Sequence, residues 1–87
     1  MNQKEVKKQI KNIFLKYKKS LDDSDTTYSN RIEKAMSLLN EREFKCIYLK
    51  YVQNTSMTSI SINLALCRSH TYKVLAKAEE NLFELLN

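Results

Sequence analysis

Two helical patterns near the end of the chain are separated by only three residues. Apolar side chains recur at helical spacing over residues 57–64, where Ile60 and Leu64 share one face, and again over residues 68–86. The intervening residues 65–67 are too few for anything but a sharp corner. We therefore expect a C-terminal helix-turn-helix, in which two helices with a short connection pack against each other.

The second of these helices is predicted to begin with basic and hydrogen-bonding side chains. Residues 68–78 contain no acidic residue. A helix-turn-helix inserts the start of its second helix into a DNA groove, where such side chains contact phosphates and base edges. Thr58 and Ser59 would donate to phosphate from the N-terminus of the first helix. The predicted partner is double-stranded DNA, and the predicted contact residues are Thr58, Ser59, Arg68, Ser69, His70, Tyr72, Lys73 and Lys77.

These side chains are expected to have different roles. Arg68 and Lys73 suit guanine, which presents two acceptors in the major groove, and Ser69 or His70 suits adaptable contacts. Lys77 lies further along, where the helix leaves the groove, and suits a phosphate. The alternative for each is an exposed position that contacts only water, and Ser69 is also compatible with a helix cap.

The chain of 87 residues contains neither glycine nor proline, the usual turn-formers and helix breakers. Because it is also rich in Lys, Leu, Ile and Glu, we predict an all-α fold of about five helices. A chain of this length forms one small domain at most. Its formal net charge of +5 favours a polyanionic partner.

Residues 1–21 are predicted to form a basic amphipathic helix. They contain seven lysines and one glutamate. Three interpretations are open: a helix docked on the domain with a solvated lysine face, a phosphate-contacting surface, or a dimerisation helix. A homodimer or a polymerase partner is expected because one helix-turn-helix usually binds DNA weakly alone. The predicted apolar stripe is Val6, Ile10, Ile13, Phe14, Tyr17 and Leu21.

A polar stretch separates this helix from the rest of the chain. Residues 22–27 contain three aspartates, a serine and two threonines, which favour turns and helix caps. We predict a linker here, followed by a domain of residues 28–87. Thr26 or Thr27 is expected to cap the next helix.

Two further helices are predicted at the start of that domain. The first covers residues 28–39, and Asn40 with Glu43 three residues later predicts the N-cap of the second. Thr55 or Ser56 is expected to cap the helix after that. The aromatic residues of the second helix would either pack in the core or form a stacking platform for single-stranded nucleic acid. The expected core residues of both helices are Ile32, Ala35, Met36, Leu39, Phe44, Ile47, Tyr48 and Tyr51.

The cysteines and the single histidine do not suggest a chemical site. Cys46 and Cys67 lack metal-ligand spacing, and His70 alone cannot complete a zinc set. We expect both cysteines to be small core residues of a reduced cytoplasmic protein. No apolar run approaches membrane-spanning length. No cofactor, metal or catalytic residue is predicted, because no recognisable catalytic constellation or glycine-rich loop is present.

Residues 28–86 resemble two related groups of DNA-binding proteins. The segment LNERE (residues 39–43), followed by IYLKY (residues 47–51), is similar to the start of the promoter-binding fourth region of bacterial sigma factors. The segment RSHTYK (residues 68–73), with Lys77-Ala78 beyond it, is closer to the ArpU/RinA-type phage regulators.

The resemblance implies a sigma region-four-like fold. It also implies a sequence-specific regulator of phage or prophage origin that activates late transcription in the cytoplasm of a bacterial host. Ala65 stands where these families have glycine, so the turn must either avoid a positive φ or accept strain. Ser61 stands at a small-residue position and needs a hydrogen bond if it is buried. The alternative function is a small module that binds RNA polymerase or another host or phage protein, with DNA binding secondary or lost.

Overall fold

The computed structural model describes residues 2–22 and 26–86. The described residues contain five α-helices and no strand, which confirms the all-α prediction. Part of the predicted linker, residues 23–25, lies outside the described residues. A π-helical segment, Tyr48–Val52, follows directly on the third helix. The helices are α1 (Gln3–Ser20), α2 (Thr27–Ser37), α3 (Glu41–Ile47), α4 (Met57–Leu64) and α5 (Arg68–Leu86).

Side-chain caps define where α3 and α4 begin. The Oδ1 atom of Asn40 accepts a hydrogen bond from the Glu43 N–H at 2.8 Å, and the Oγ atom of Ser56 accepts one from the Ser59 N–H at 3.2 Å. Each cap satisfies a backbone donor that the first helical turn leaves unpaired. Both predicted caps are confirmed. Thr26 occupies the N-cap position of α2, but its side chain accepts no capping hydrogen bond there.

Helix α5 forms the centre of the fold, because it packs against all four other helices. Its inward face repeats every three or four residues and contains Thr71, Leu75, Ala78 and Leu82. The core positions predicted within residues 28–39 are all buried, and the last of them, Leu39, lies just beyond the end of α2. The buried apolar residues form one cluster: Val6, Ile10, Phe14, Tyr17, Ile32, Ala35, Met36, Leu39, Cys46, Ile47, Met57, Ile60, Leu75, Ala78 and Leu82.

Helix α1 contributes its apolar stripe to this same core. The Tyr17 hydroxyl also donates to Glu33 of α2 at 2.9 Å, and burial together with this carboxylate raises the pKa of Tyr17 to about 12. Ile13 is half-buried. Leu21 is exposed, so its predicted core position is wrong. The reason is that α1 ends at Ser20, and Leu21 lies beyond the last helical turn.

The aromatic stripe predicted for the third helix is only partly buried. Ile47 is fully buried and Tyr51 is half-buried, but Phe44 and Tyr48 are 37% and 38% exposed, so the core prediction is wrong for these two residues. Helix α3 turns Cys46 and Ile47 towards the core instead. Phe44 and Tyr48, four residues apart, share the edge of that face, where their rings stack with centroids 6.0 Å apart.

The two cysteines lie in different environments. Cys46 is fully buried, as predicted. Cys67 is exposed, so its predicted core position is wrong. It belongs to the surface corner between α4 and α5 rather than to the buried face of either helix.

Candidate nucleic-acid interface

The chain turns sharply between α4 and α5 through a hydrogen-bonded corner. Ala65 has left-handed backbone angles, φ 55° and ψ 42°. Its N–H donates to the Ile62 carbonyl at 3.2 Å, and the Leu66 N–H donates to the Ser61 carbonyl at 3.0 Å. These two bonds form a Schellman motif, which normally has glycine at the left-handed position. The buried Ser61 hydroxyl donates to the Met57 carbonyl at 2.8 Å, so its expected hydrogen bond is present.

The first turn of α5 is held to the corner by Thr71. This side chain is fully buried, and both its Oγ1–H and its N–H donate to the Cys67 carbonyl, at 2.8 and 2.9 Å. Leu75, one turn later, is also buried. Val74, which precedes Leu75 in the chain, is half-buried. The anchored side of α5 therefore faces the core and leaves its other side at the surface.

All eight predicted DNA-contact residues are exposed at the surface. Six of them lie in the first half of α5, and the other two lie in the first turn of α4. Ser69 is the second residue of α5 rather than its N-cap, because the helix starts at Arg68. The exposed residues are Thr58, Ser59, Arg68, Ser69, His70, Tyr72, Lys73 and Lys77.

Two clefts bring some of these residues together. A cleft of about 760 Å³ between α3 and α5 is lined by His70, Lys73 and Lys77. A cleft of about 390 Å³ between α1 and α5 is lined by Tyr72, Lys73 and Lys77, together with Gln3. The remaining predicted residues lie outside both clefts: Thr58, Ser59, Arg68 and Ser69.

Sequence reasoning missed the residues that other helices contribute to these clefts. Arg42 and Lys45 of α3 line the larger cleft together with the acidic Glu41 and Glu43 of the same helix, and Asn63 of α4 lines it as well. Lys45 also pairs with Glu41 across one helical turn at 3.5 Å. Arg42 and Lys45 were recognisable only as residues outside the apolar stripe. Their position beside α5 depends on helix packing, which the local pattern does not specify.

The start of α5 favours negative charge. Hydrogen bonding from the His70 backbone N–H, with help from the Ser69 side chain, lowers the pKa of the exposed Cys67 thiol. The first N–H groups of a helix have no partner within the helix and point out along its axis. Donors that stabilise a thiolate at this position also suit a phosphate oxygen.

A buried carboxylate ties α1 to α5 below the exposed surface. Glu79 of α5 is almost fully buried, and its Oε1 atom accepts from the Lys7 ammonium at 2.9 Å. Its other oxygen accepts from the Tyr51 hydroxyl, and burial and this bond raise the pKa of Tyr51 above its usual range. The Tyr51 ring stacks on Phe14 at 5.2 Å, which makes it a core residue rather than an open platform.

Two kinds of feature, a cluster of metal ligands and a membrane-spanning helix, are absent from the described residues. No group of three or more His, Cys, Asp or Glu side chains lies close enough to hold a metal ion. None of the described helices combines the length and the apolar character needed to cross a membrane. Comparison with protein-family models, with curated proteins and with solved structures returned no match.

Proposed function

We propose that the protein is a sequence-specific DNA-binding transcription regulator, in which α4 and α5 act as a DNA-binding helix-turn-helix. The observation that carries this proposal is the two-sided character of α5. Thr71 and Leu75 hold one side in the core, while the six predicted contact residues of this helix lie exposed. A helix held in this way can enter a major groove without losing packing.

The roles within α5 follow from position and chemistry. Arg68 and Lys73 offer donors to the two acceptors of guanine. Lys77 lies one turn beyond Lys73, where a helix leaving the groove meets the phosphate backbone. The helix N-terminus, where backbone hydrogen bonding lowers the pKa of the Cys67 thiol, adds a further attraction for phosphate.

The biological setting of the proposal comes from the resemblance to the ArpU/RinA-type regulators. On the basis of this resemblance, we propose that the protein activates phage or prophage late genes and acts beside the RNA polymerase of a bacterial host. The support in the sequence is the resemblance of residues 68–73 to these regulators and of residues 39–43 and 47–51 to the fourth region of bacterial sigma factors.

The decisive experiment compares three alanine variants on two DNAs. A binding duplex is selected from a random pool with the wild-type protein, and isotherms on it and on unselected duplex are measured at two salt concentrations. Arg68→Ala should cost about 1–3 kcal/mol on the selected duplex and little on the unselected one. Lys77→Ala should weaken both and lower the salt slope by about one phosphate contact. Lys34→Ala, at an exposed position of α2, is the control and should change neither affinity.

The melting temperatures of all three variants should match that of the wild type, because each side chain is exposed. Equal losses for Arg68→Ala on both DNAs would remove its base-reading role. Absence of any duplex binding by the wild type at low salt would refute the proposal.

Exposed apolar side chains favour a second candidate function. In it, the protein is an interaction module that binds RNA polymerase or another protein. Phe44 of α3 and Tyr48 of the π-helical segment stack at the surface, and the exposed Leu38 and Leu85 line a common groove. Apolar surface of this kind is typical of protein interfaces. Phe44→Ala should then reduce polymerase binding and leave DNA binding unchanged, whereas an unchanged affinity for polymerase would exclude this face.

A further inference from the structure

A groove between α1 and the π-helical segment is bordered by lysines. It has a volume of about 540 Å³, and none of the residues that line it is acidic. Lys7 is paired with Glu79. Within the described residues, none of the other lysines of the groove forms a salt bridge, so their ammonium groups can make outward contacts. The lysines of this groove, which we call the lysine groove, are Lys7, Lys8, Lys11, Lys18 and Lys50.

The lysine groove continues the basic surface of α5. Gln3, Lys7, Lys11 and Lys18 are spaced by four, four and seven residues, which places them on one face of α1. Gln3, at the end of this row, lines the cleft that contains the two exposed lysines of α5. Glu80 is the one acidic residue lining that cleft. One row of α1 side chains therefore connects the proposed recognition surface to the lysine groove.

We propose that the lysine groove is a second DNA-contact surface, which binds phosphates of the same duplex beside the stretch that α5 reads. This inference rests on the proposed function. From Gln3 to Lys18 the helix rises about 22 Å, at about 1.5 Å per residue. That distance corresponds to roughly seven base pairs at about 3.4 Å each. The groove would add affinity that one helix-turn-helix usually lacks.

The chemistry of the groove favours the backbone of a duplex over unpaired bases. Lysine ammonium groups contact phosphates as point charges and need no bidentate geometry. Base stacking would need an open aromatic face, but Phe14 is 2% exposed and stacks on Tyr51. Such a surface supplies affinity without sequence preference.

The groove is less suited to an acidic protein segment. Leu15, at 59% exposure, is the one strongly exposed large apolar side chain among the residues that line it. Protein interfaces normally bury a larger apolar centre. The aliphatic stems of the neighbouring lysines can cover Leu15 while their ammonium groups face phosphates.

The test compares two double variants that remove the same charge. Lys8→Gln/Lys11→Gln alters the lysine groove, and Lys19→Gln/Lys34→Gln removes two exposed lysines that do not line it. Glutamine keeps a similar helix propensity. Binding to a fluorescent mixed-sequence duplex of 30 base pairs is measured by anisotropy at four salt concentrations. The plot of log K against log salt has a negative slope, and loss of two phosphate contacts should make that slope less steep by about 1.8.

The expected result is a reduced slope for the groove variant and a slope near the wild-type value for the control. Equal reductions in both variants would mean that net charge alone matters and would overturn the proposal. Wild-type slopes in both variants would also overturn it. In either case, normal duplex binding by the wild type would still agree with the function proposed for α5. Failure of the wild type itself to bind would refute both proposals.

Discussion

Replacing Ala65 by glycine should make the protein more stable. Ala65 holds a left-handed conformation, with φ 55°, at the end of α4. This conformation brings Cβ too close to a carbonyl oxygen and costs a residue other than glycine about 1–2 kcal/mol. Glycine removes that contact, but its greater freedom in the unfolded chain takes back about 0.4–1 kcal/mol. The net gain in the free energy of unfolding should be about 0.5–1 kcal/mol.

The rest of the corner should be unaffected by Ala65→Gly. The hydrogen bonds to the Ile62 and Ser61 carbonyls come from backbone N–H groups. The Ala65 side chain is exposed, so its loss opens no cavity. For a domain of this size, the expected gain corresponds to an increase of about 2–8 °C in melting temperature.

The assay is thermal and urea unfolding followed by circular dichroism. Ala76→Gly is the matched control, because Ala76 lies inside α5 with ordinary helical geometry. Glycine there should lower the free energy of unfolding by about 1 kcal/mol. The same substitution would thus change stability in opposite directions at the two sites. An unchanged or lower melting temperature for Ala65→Gly would refute the strain that we assign to this corner.

Three further predictions concern the core, the cysteines and alkaline pH. Ile60→Asp should unfold the protein, because it puts an unpaired charge in a fully buried position, whereas Ile62→Asp, at a 76% exposed position of the same helix, should keep the helical circular dichroism. Equal melting temperatures for the two variants would contradict the packing of α4. Cys67 should react with a thiol reagent at pH 7 in the folded protein, because its thiol is exposed and the pKa of that thiol is lowered. Cys46 should react only after unfolding, because it is fully buried and burial raises its pKa to about 11. If both thiols of the folded protein react equally fast with the reagent, or if neither reacts, this assignment is wrong. The pKa of Tyr51 is higher in the folded protein than its value of about 10 in the unfolded chain. The stabilisation that this difference provides is complete below about pH 10 and is lost as the pH rises further. Between pH 9 and pH 11, Tyr51→Phe should therefore lose less stability than the wild type. Parallel urea-unfolding profiles for the variant and the wild type would refute it.

The amino-acid sequence determined the helices of this protein, because the forces involved are local. Apolar side chains repeat with helical periodicity, and neither glycine nor proline interrupts them. The caps at Asn40 and Ser56 involve donors only three residues away, so both could be read from the chain. The three-residue connection between α4 and α5 followed from the same spacing. The exposed position of the predicted contact residues agrees with their polar character.

The tertiary structure decided which faces are covered and which distant groups meet. Periodicity marks an apolar stripe, but burial depends on the partner helix, and α3 therefore turns Cys46 inwards and leaves Phe44 at the surface. In the sequence, Glu79 is recognisable only as one of three glutamates after residue 78. It is buried because Lys7, 72 residues away in the chain, reaches it from α1, and a charge is tolerated in the core only with such a partner. The clefts around α5 likewise combine residues from helices that meet only in the folded protein, since no local rule fixes how separate helices pack.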